Sequence, residues 1–395
     1  TNLFISVLLY VALFYGAPGI AKFYNHPELV SLTRIMGLVI IINAFNVIQH
    51  ALIARAVDFK RKTKITLIGT LISGSIGIVS AYQGLGVWAL VIQSLTNRLV
   101  ISFGFWITTP WKPGLRFSLQ SFRELFAFGS WILFSSAIRK IFDNIYLLAI
   151  GKFFPAVQVG FYSKAKQFQR LASEELAGAV GIVAFPVYSK LQEDKEKLQN
   201  AMRKFLQHSL IFIIPLIVSL IVVAQPFVIL LIKEKWAPMI PYLQLLSVAG
   251  ILYPIHMVNI QALTAFGKSR LSFNISLFRN LLRILNILLM YRFGVIYIIW
   301  GEVILSFIAL VINIWFIERE VGYGFAKQTA DIWRILMGGT IAGLIGYLPH
   351  LMTSNLWMLL ISGVILTLGT FLGTQYFYNR RLLMDTIELR KNFKS

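Results

Sequence analysis

The sequence predicts an all-α, polytopic membrane protein with about twelve transmembrane helices. Hydrophobic residues make up 57% of its 395 residues and charged residues only 13%, whereas a soluble domain carries about 25% charged residues. The apolar residues form segments of roughly 17 to 25 residues, the length that a helix needs to cross a hydrocarbon core of about 30 Å. Tryptophans lie at or near many segment ends, where the indole ring can keep its N–H in the headgroup layer.

Twelve apolar segments follow one another along the chain. They comprise residues 2–20, 29–53, 65–81, 87–107, 129–150, 156–185, 205–223, 241–266, 271–290, 295–316, 335–348 and 356–376. Gly84 and Gly86 supply the conformational freedom for the short turn between the third and fourth segments. Pro215 and Pro254 interrupt two segments and are bending points, either for static packing or for a rocking motion. The chain has no cysteine, which excludes disulfides and thiolate metal sites.

Two stretches of the chain resemble each other and organise the predicted helices into lobes. The stretch from Ala17 matches the stretch from Ala224, and both begin at the outer end of an outward-running helix. Equal orientation implies parallel repeats related by an axis along the membrane normal. The run "WKPGLRFSLQSFRELFAFGS" combines a Pro-Gly turn with an amphipathic segment that suits the inner membrane surface. The predicted organisation is an N-terminal helical lobe at 1–107, a cytoplasmic amphipathic linker at 108–128, a C-terminal helical lobe at 129–316, two additional transmembrane helices at 317–377 and a cytoplasmic tail at 378–395.

Lysine and arginine in the loops set the predicted orientation. One set of alternate loops, together with the tail, holds 23 of the 37 lysines and arginines, and the opposite loops hold five. By the positive-inside rule the first set is cytoplasmic, which places both the first residue and the tail in the cytoplasm. No segment outside the membrane is long enough to fold as a basic, nucleic-acid-binding domain. Much of the formal net charge of +21 is therefore a topology signal.

Charged residues also fall inside the predicted spans. They are the basic residues Arg34, Arg98, Arg139, Lys140, Lys164, Lys166, Arg170, Arg279 and Arg283 and the acids Asp143, Glu174, Glu175 and Glu302. A basic residue that faces lipid at the membrane midplane costs about 2.5 to 3.5 kcal/mol. We therefore expect most of these residues to face a wet or protein-lined interior with a surplus of positive charge. Such an interior suits a lipid-linked phosphate or pyrophosphate, because guanidinium groups bind phosphate oxygens in a bidentate manner.

Local spacing leaves two interpretations for the first charges along the chain. Arg34 lies near a span end and is expected to extend to the membrane surface. Arg139 and Asp143 are four residues apart, and so are Lys140 and Asn144. These residues either neutralise one another along one helix face or form part of a headgroup-binding surface.

Two later helix faces carry stronger signals. Lys166, Arg170 and Glu174 repeat the four-residue spacing and predict a polar, cavity-lining face on the sixth span. Arg279 and Arg283 share a face of the ninth span with no acid within one turn. At about 1.5 Å per residue they lie about 6 Å apart along the helix axis, close enough for both guanidinium groups to bind one pyrophosphate.

These patterns define the candidate site residues. The candidates for substrate binding are Arg279, Arg283, Arg139, Lys140, Lys166, Arg170 and Arg98. Glu302 is either a structural partner for a buried arginine or the site of a coupling ion, and Asp143 is the second candidate for that ion. The five histidines are scattered singly along the chain, and no metal site is expected.

Several motifs resemble those of bacterial polysaccharide flippases. The chain contains, in the order seen in that family, "ARAVDFKRKTKI", "GLGVWALVIQ", "DNIYLLAIGKFF", "VGFYSKAKQFQRL" and "KEKWAPMIPYLQLLSVAG". These flippases form the Wzx-type, lipopolysaccharide-export branch of the multidrug/oligosaccharidyl-lipid/polysaccharide (MOP) exporter superfamily. The resemblance extends over nearly the whole chain.

The resemblance implies a two-lobed, MOP-type transporter of fourteen helices in the bacterial cytoplasmic membrane. Such a protein moves undecaprenyl-pyrophosphate-linked oligosaccharide units outward by alternating access. The resemblance implies no cofactor and no enzymatic activity. It implies contacts with membrane lipids and a pathway shared with a polysaccharide polymerase and glycosyltransferases. The family has two further helices before the region of Asn2, so we expect the twelve spans to be the third to the fourteenth and residues 1–395 not to transport by themselves.

Three other functions are alternatives. A flippase for a peptidoglycan lipid precursor is close in mechanism and differs in the sugar that it carries. A multidrug exporter of the same superfamily would present acids to cationic ligands, whereas the surplus inside the spans is positive. A membrane glycosyltransferase or polymerase would need catalytic carboxylates or histidines on sizeable loops, and the predicted outer loops are short.

Overall fold

The computed structural model describes residues 2–56, 58–110, 129–130, 136–380 and 382–384. Its helices are α1 (Asn2–Tyr24), α2 (Leu29–Ala44), α3 (Val47–Arg55), α4 (Phe59–Tyr82), α5 (Val87–Thr108), α6 (Ile145–Phe153), α7 (Ala156–Ala172), α8 (Glu174–Lys190), α9 (Lys195–Val222), α10 (Ala224–Phe227), α11 (Ile240–Ala265), α12 (Ser269–Met290), α13 (Val295–Val321), α14 (Phe325–Tyr347), α15 (Pro349–Met352) and α16 (Leu356–Tyr378). A π-helical turn at Val228–Ile232 and a 3-10 segment at Glu234–Met239 connect α10 to α11. The described residues contain no strand. Most of the predicted linker and of the predicted tail lies outside them.

The helices confirm the predicted all-α membrane fold. Within the described residues, nine helices are long and apolar enough to cross a membrane, and two bent helix pairs meet the same test together. The pairs are α2 with α3, bent by 48°, and α7 with α8, bent by 40°. The sequence predicts a single span for each pair. The remaining predicted span, at 129–150, is described only in part, as a helical stretch at 136–143 followed by α6.

Side-chain caps and a glycine set several helix ends. The Asp58 carboxylate accepts the Arg61 backbone N–H at 3.0 Å at the start of α4, and Asp194 does the same for Lys197 at the start of α9. Each bond satisfies one of the amides that a helix leaves free in its first turn. Gly322 ends α13 at φ +82°, a left-handed conformation that glycine adopts without a steric penalty.

The chain divides into two compact units, residues 1–139 and 140–395. In the first unit, α1 packs on α2 and α4 packs on α5. Pro18 lies inside α1 and has no N–H, so the Phe14 carbonyl loses its helical donor. Arg34 Nε of α2 donates to this carbonyl at 3.2 Å, and its guanidinium lies 4.1 Å from the centre of the Phe14 ring. Arg34, expected at the membrane surface, therefore has a partner within the helix bundle.

In the second unit, α11 lies at the centre and packs against α7, α8, α9 and α13. α9 is enclosed in turn by α11, α14 and α16, and Leu206, Leu210 and Ile214 on it are buried. A Cβ added to Gly339 of α14 would lie 2.5 Å from the Ile214 side chain. The glycine therefore allows α14 to approach α9 closely, as small residues do in membrane helix pairs.

A proline and a serine shape the break between α7 and α8. Pro254 lies inside α11 and has no N–H, which leaves the Gly250 carbonyl without its helical donor. Ser173, the residue between α7 and α8, is buried, and its hydroxyl donates to this carbonyl at 2.6 Å. The bond fixes the break between α7 and α8 against α11, and α8 starts there with Glu174 and Glu175.

Candidate functional site

The second unit contains a polar cavity of about 670 Å³. Side chains from α6, α7, α8, α11, α12 and α13, together with the residues just before α6, line it. Five of the lining residues are lysine or arginine and four are aspartate or glutamate. So many charges within a membrane protein require either mutual pairing or a charged ligand.

The structure brings seven of the nine candidate residues together at this cavity. Lys140, Asp143, Lys166, Arg170, Arg279, Arg283 and Glu302 all line it. Arg98 is exposed on α5 in the first unit, and Arg139, also exposed, is the last residue of that unit. Neither of these two arginines lines the cavity.

Five charged side chains along one side of the cavity form an alternating series, which we call the charge ladder: Glu302, Lys166, Glu174, Arg170 and Glu175. Lys166 Nζ lies 3.3 Å from Glu302 Oε1 and 3.2 Å from Glu174 Oε1. Arg170 lies 3.7 Å from Glu174 through Nε and 3.0 Å from Glu175 through Nη2. The side chain of Glu302 is 7% exposed and that of Glu175 is 58% exposed. The ladder therefore leads from a buried carboxylate to an exposed one at the open part of the cavity.

The ladder follows from helix geometry on α7 and from one long-range contact. Tyr162, Lys166 and Arg170 are spaced by four residues and therefore share one face of α7. Glu174 remains beside this face because α8 starts directly after the break at Ser173. The predicted polar face of Lys166, Arg170 and Glu174 is thus present as two ion pairs.

Glu302 joins the ladder from the opposite helix. It lies on α13 between apolar residues and is buried. Its Oε2 accepts a hydrogen bond from the Tyr162 hydroxyl at 3.3 Å. The sequence left two alternatives for Glu302, a buried arginine as its partner or a coupling ion, and in the structure its ion-pair partner is Lys166. The spacing of α7 placed the lysine on a polar face, but nothing near Glu302 in sequence identifies that face as its partner.

The two arginines of α12 differ from the ladder because they face the cavity without a carboxylate partner. Neither Arg279 nor Arg283 forms an ion pair with an acid in the described part of the chain. Arg279 Nε is buried and has no hydrogen-bond partner. The Arg283 guanidinium lies 5.9 Å from the centre of the Tyr146 ring. Cations that are partly buried without a partner are costly, and an anion in the cavity would relieve that cost.

The sequence of α12 explains why these arginines point inward. Phe278, Leu281 and Leu285 are exposed on the helix, where a membrane helix meets lipid. The arginines occupy the other, half-buried part of its surface. α12 is therefore amphipathic within the membrane, with its polar stripe on the cavity.

Tyr146, Tyr253 and His256 also line the cavity, although sequence reasoning did not select them. His256 Nε2 lies 3.1 Å from the Ser306 carbonyl, which can only accept, so Nε2 carries the proton. Its Nδ1 accepts from Asn313 Nδ2 at 2.8 Å. Tyr146 lies on α6, Tyr253 and His256 lie on α11, and no local spacing connects them to the arginines. The described residues contain no group of three potential metal ligands.

Comparisons with known proteins agree with the motifs. Residues 1–241 match the model of the family described as polysaccharide biosynthesis protein. The chain is 24% identical over 349 residues to the teichuronic acid biosynthesis protein TuaB of Bacillus subtilis (strain 168), over 88% of this chain and 72% of that protein. It is 28% identical over 345 residues to the lipopolysaccharide biosynthesis protein WzxC of Escherichia coli (strain K12), over 84% of this chain and 68% of that protein.

The fold is also similar to a solved structure, that of the lipid II flippase MurJ in an inward closed conformation. The TM-score is 0.76, with 16% sequence identity, and the similarity covers 96% of this chain and 82% of that chain. The similarity confirms the expected MOP-type transporter fold.

Proposed function

The chain belongs to the polysaccharide biosynthesis protein family, and on this premise we propose that it is a flippase for a lipid-linked polysaccharide unit. The cargo is an oligosaccharide repeat joined to undecaprenyl by pyrophosphate, and it crosses the membrane by alternating access. Two relatives are named for the biosynthesis of teichuronic acid and of lipopolysaccharide, which supports a polysaccharide unit as cargo. A peptidoglycan precursor has the same pyrophosphate link, and family membership favours the polysaccharide unit over it.

The observation that carries the proposal is the pair Arg279 and Arg283. Both line the cavity, share one face of α12 and have no acidic partner among the described residues. Two guanidinium groups about 6 Å apart along a helix suit the two phosphate groups of a pyrophosphate, which they can bind through paired N–H donors. Lys140 also lines the cavity and adds a third cation for the same headgroup.

The ion pairs of the acids favour a flippase over a multidrug exporter and over a glycosyltransferase or polymerase. Three of the four acids that line the cavity, Glu302, Glu174 and Glu175, each have a lysine or arginine within ion-pair distance, so these three do not offer free carboxylates to a cationic drug. The same pairing argues against a glycosyltransferase or polymerase, which needs carboxylates free for acid and base catalysis. We propose that the chain is not an enzyme and that polymerase and glycosyltransferases of the pathway act on the unit before or after it.

A ligand series tests the headgroup assignment. The purified chain in detergent should bind farnesyl pyrophosphate more tightly than farnesyl monophosphate, and farnesol most weakly, because only the anionic headgroup engages the arginines. Binding is measured by isothermal titration calorimetry. Equal affinity for farnesyl pyrophosphate and farnesol would contradict the proposed function.

The chain spans the membrane several times, and we propose the bacterial cytoplasmic membrane with a cytoplasmic C-terminus. The chain has no cysteine, so single cysteines can report topology. Cysteines at Thr63 and Gln192, in or beside lysine-rich loops, should react with an impermeant thiol reagent only after the cells are opened. A cysteine at Ala237 should react in intact cells. Labelling of the Thr63 or Gln192 variant in intact cells would overturn the orientation.

A further inference from the structure

We propose that Glu302 takes up a proton when an anionic headgroup binds in the cavity. Glu302 is the first candidate for the site of the coupling ion, and Asp143 of the same cavity is the second candidate. The inference rests on the proposed function and concerns the regulation of that same site. The group that changes its protonation is Glu302, the event is headgroup binding, and the change is the gain of a proton.

The geometry makes Lys166 a shared cation. Its Nζ lies 3.3 Å from Glu302 and 3.2 Å from Glu174, so one positive charge serves two carboxylates. The other hydrogen bond to the Glu302 carboxylate comes from the Tyr162 hydroxyl, a neutral donor. Among the described residues, Glu302 thus depends on Lys166 for its only ion pair.

An anionic headgroup competes for that lysine. Lys166 lines the same cavity as Arg279 and Arg283, and a pyrophosphate held by the arginines attracts it as a further cation. When Lys166 moves toward the phosphate, Glu302 keeps one neutral donor in a buried position. A buried carboxylate without a cation, beside a new negative charge, favours its protonated form.

Charged and titratable side chains from five helices line the cavity together with Glu302. They are Tyr162 and Lys166 from α7, Tyr146 from α6, Glu174 from α8, His256 from α11, and Arg279 and Arg283 from α12. In the empty cavity the arginines and the lysine favour the ionised carboxylate. A bound pyrophosphate compensates the charge of these cations, which removes that support. Glu174 differs from Glu302, because Arg170 still pairs with it and because it is more exposed than Glu302.

The proton balance is simple. One proton leaves the aqueous phase and binds a Glu302 carboxylate oxygen as the headgroup enters, and it returns to water when the headgroup leaves. The loaded cavity therefore carries one negative charge fewer, which lowers the cost of enclosing the headgroup within the membrane. The proton travels with the headgroup instead of being exchanged against it.

Calorimetry in two buffers of different ionisation enthalpy measures this proton directly. At pH 7, binding of farnesyl pyrophosphate to the purified chain should take up about one proton more than binding to the Glu302→Gln variant. The variant serves as the control, because its binding reports the protonation change of the ligand itself. By linkage, the affinity of the wild-type chain, relative to that variant, should rise by up to about tenfold per pH unit as the pH falls from 8 to 6.

Two further variants sharpen the test. In Lys166→Met, no lysine remains for the headgroup to draw away from Glu302, so binding should be accompanied by no uptake beyond that of Glu302→Gln. Glu234→Gln changes an exposed carboxylate in the 3-10 segment, away from the cavity, and should retain the wild-type uptake.

The outcomes separate this inference from the proposed function. Absence of farnesyl pyrophosphate binding would overturn the proposed function and this inference with it. Binding with no net proton uptake, or with proton release, would overturn this inference and leave the headgroup site in place. Uptake that persists in a folded Glu302→Gln variant would also overturn it, because another group would then take the proton.

Discussion

Replacing Arg279 and Arg283 together by glutamine is expected to weaken farnesyl pyrophosphate binding by about 100-fold or more while the chain remains folded. A hydrogen bond to a charged group contributes about 1.5 to 3 kcal/mol. Loss of two such interactions costs about 3 kcal/mol or more, which corresponds to a factor of at least about 100 in Kd. Calorimetry measures the affinity, and thermal melting of the same sample checks the fold.

Two control variants give this experiment its specificity. The double Arg→Lys variant retains charge and loses the planar guanidinium, so it should retain part of the affinity. Arg292→Gln removes an exposed arginine outside the cavity and should bind like the wild type. If the pair served only to hold helices together, the double glutamine variant would melt earlier without a specific loss of affinity. Unchanged affinity in a well-folded double variant would remove these arginines from the site.

Among the substitutions in the cavity, Lys166→Met is expected to lower the thermal stability of the folded chain most. The substitution removes the lysine that Glu302 and Glu174 share. Glu302 must then either remain charged without an ion-pair partner or take up a proton. Both cost free energy of folding, and removal of one partner of a buried ion pair costs about 3 to 5 kcal/mol. Thermal melting in detergent should show a clearly lower Tm than for the wild type.

A second substitution should reverse most of that loss. In the double variant Lys166→Met/Glu302→Gln the uncompensated carboxylate is gone, so the Tm should return most of the way to the wild-type value. Lys197→Met is the matched surface control, because Lys197 forms a 2.9 Å ion pair with Asp194 and is 71% exposed. Exposed pairs contribute little, so its Tm should be unchanged. If Lys166→Met melts like Lys197→Met, the charge ladder has no structural role.

Whether a feature of this molecule can be predicted from the sequence depends on how far apart in the chain the interacting residues lie. Long apolar segments predict spans because the bilayer imposes a length on every helix. The sharp bend between α7 and α8 was not predicted, since its cause lies on another helix. The hydroxyl of Ser173 acts on a carbonyl that Pro254 has freed, and the serine and its acceptor are 77 residues apart in the chain.

The candidate site follows the same rule. Four-residue spacing identified Lys166 with Arg170, and Arg279 with Arg283, because each pair lies on one helix. The contact between Lys166 and Glu302 joins residues 136 positions apart, which no spacing rule reaches. Arg98 is as basic as the residues of the cavity, but residue type does not tell which helices surround a common space.

The hydrogen bond from Ser173 to the Gly250 carbonyl also constrains the order in which these positions can change during evolution. With any residue other than proline at position 254, the backbone N–H of that residue can donate to the carbonyl of position 250. The hydroxyl at position 173 is then no longer needed as a donor, and the serine can be replaced without leaving this carbonyl unsatisfied. Loss of the serine while the proline remains would leave a buried carbonyl without a donor, a cost of about 1 to 3 kcal/mol. The order with the lower cost is therefore loss of the proline before the serine when a lineage abandons this pair, and gain of the serine before the proline when it acquires it.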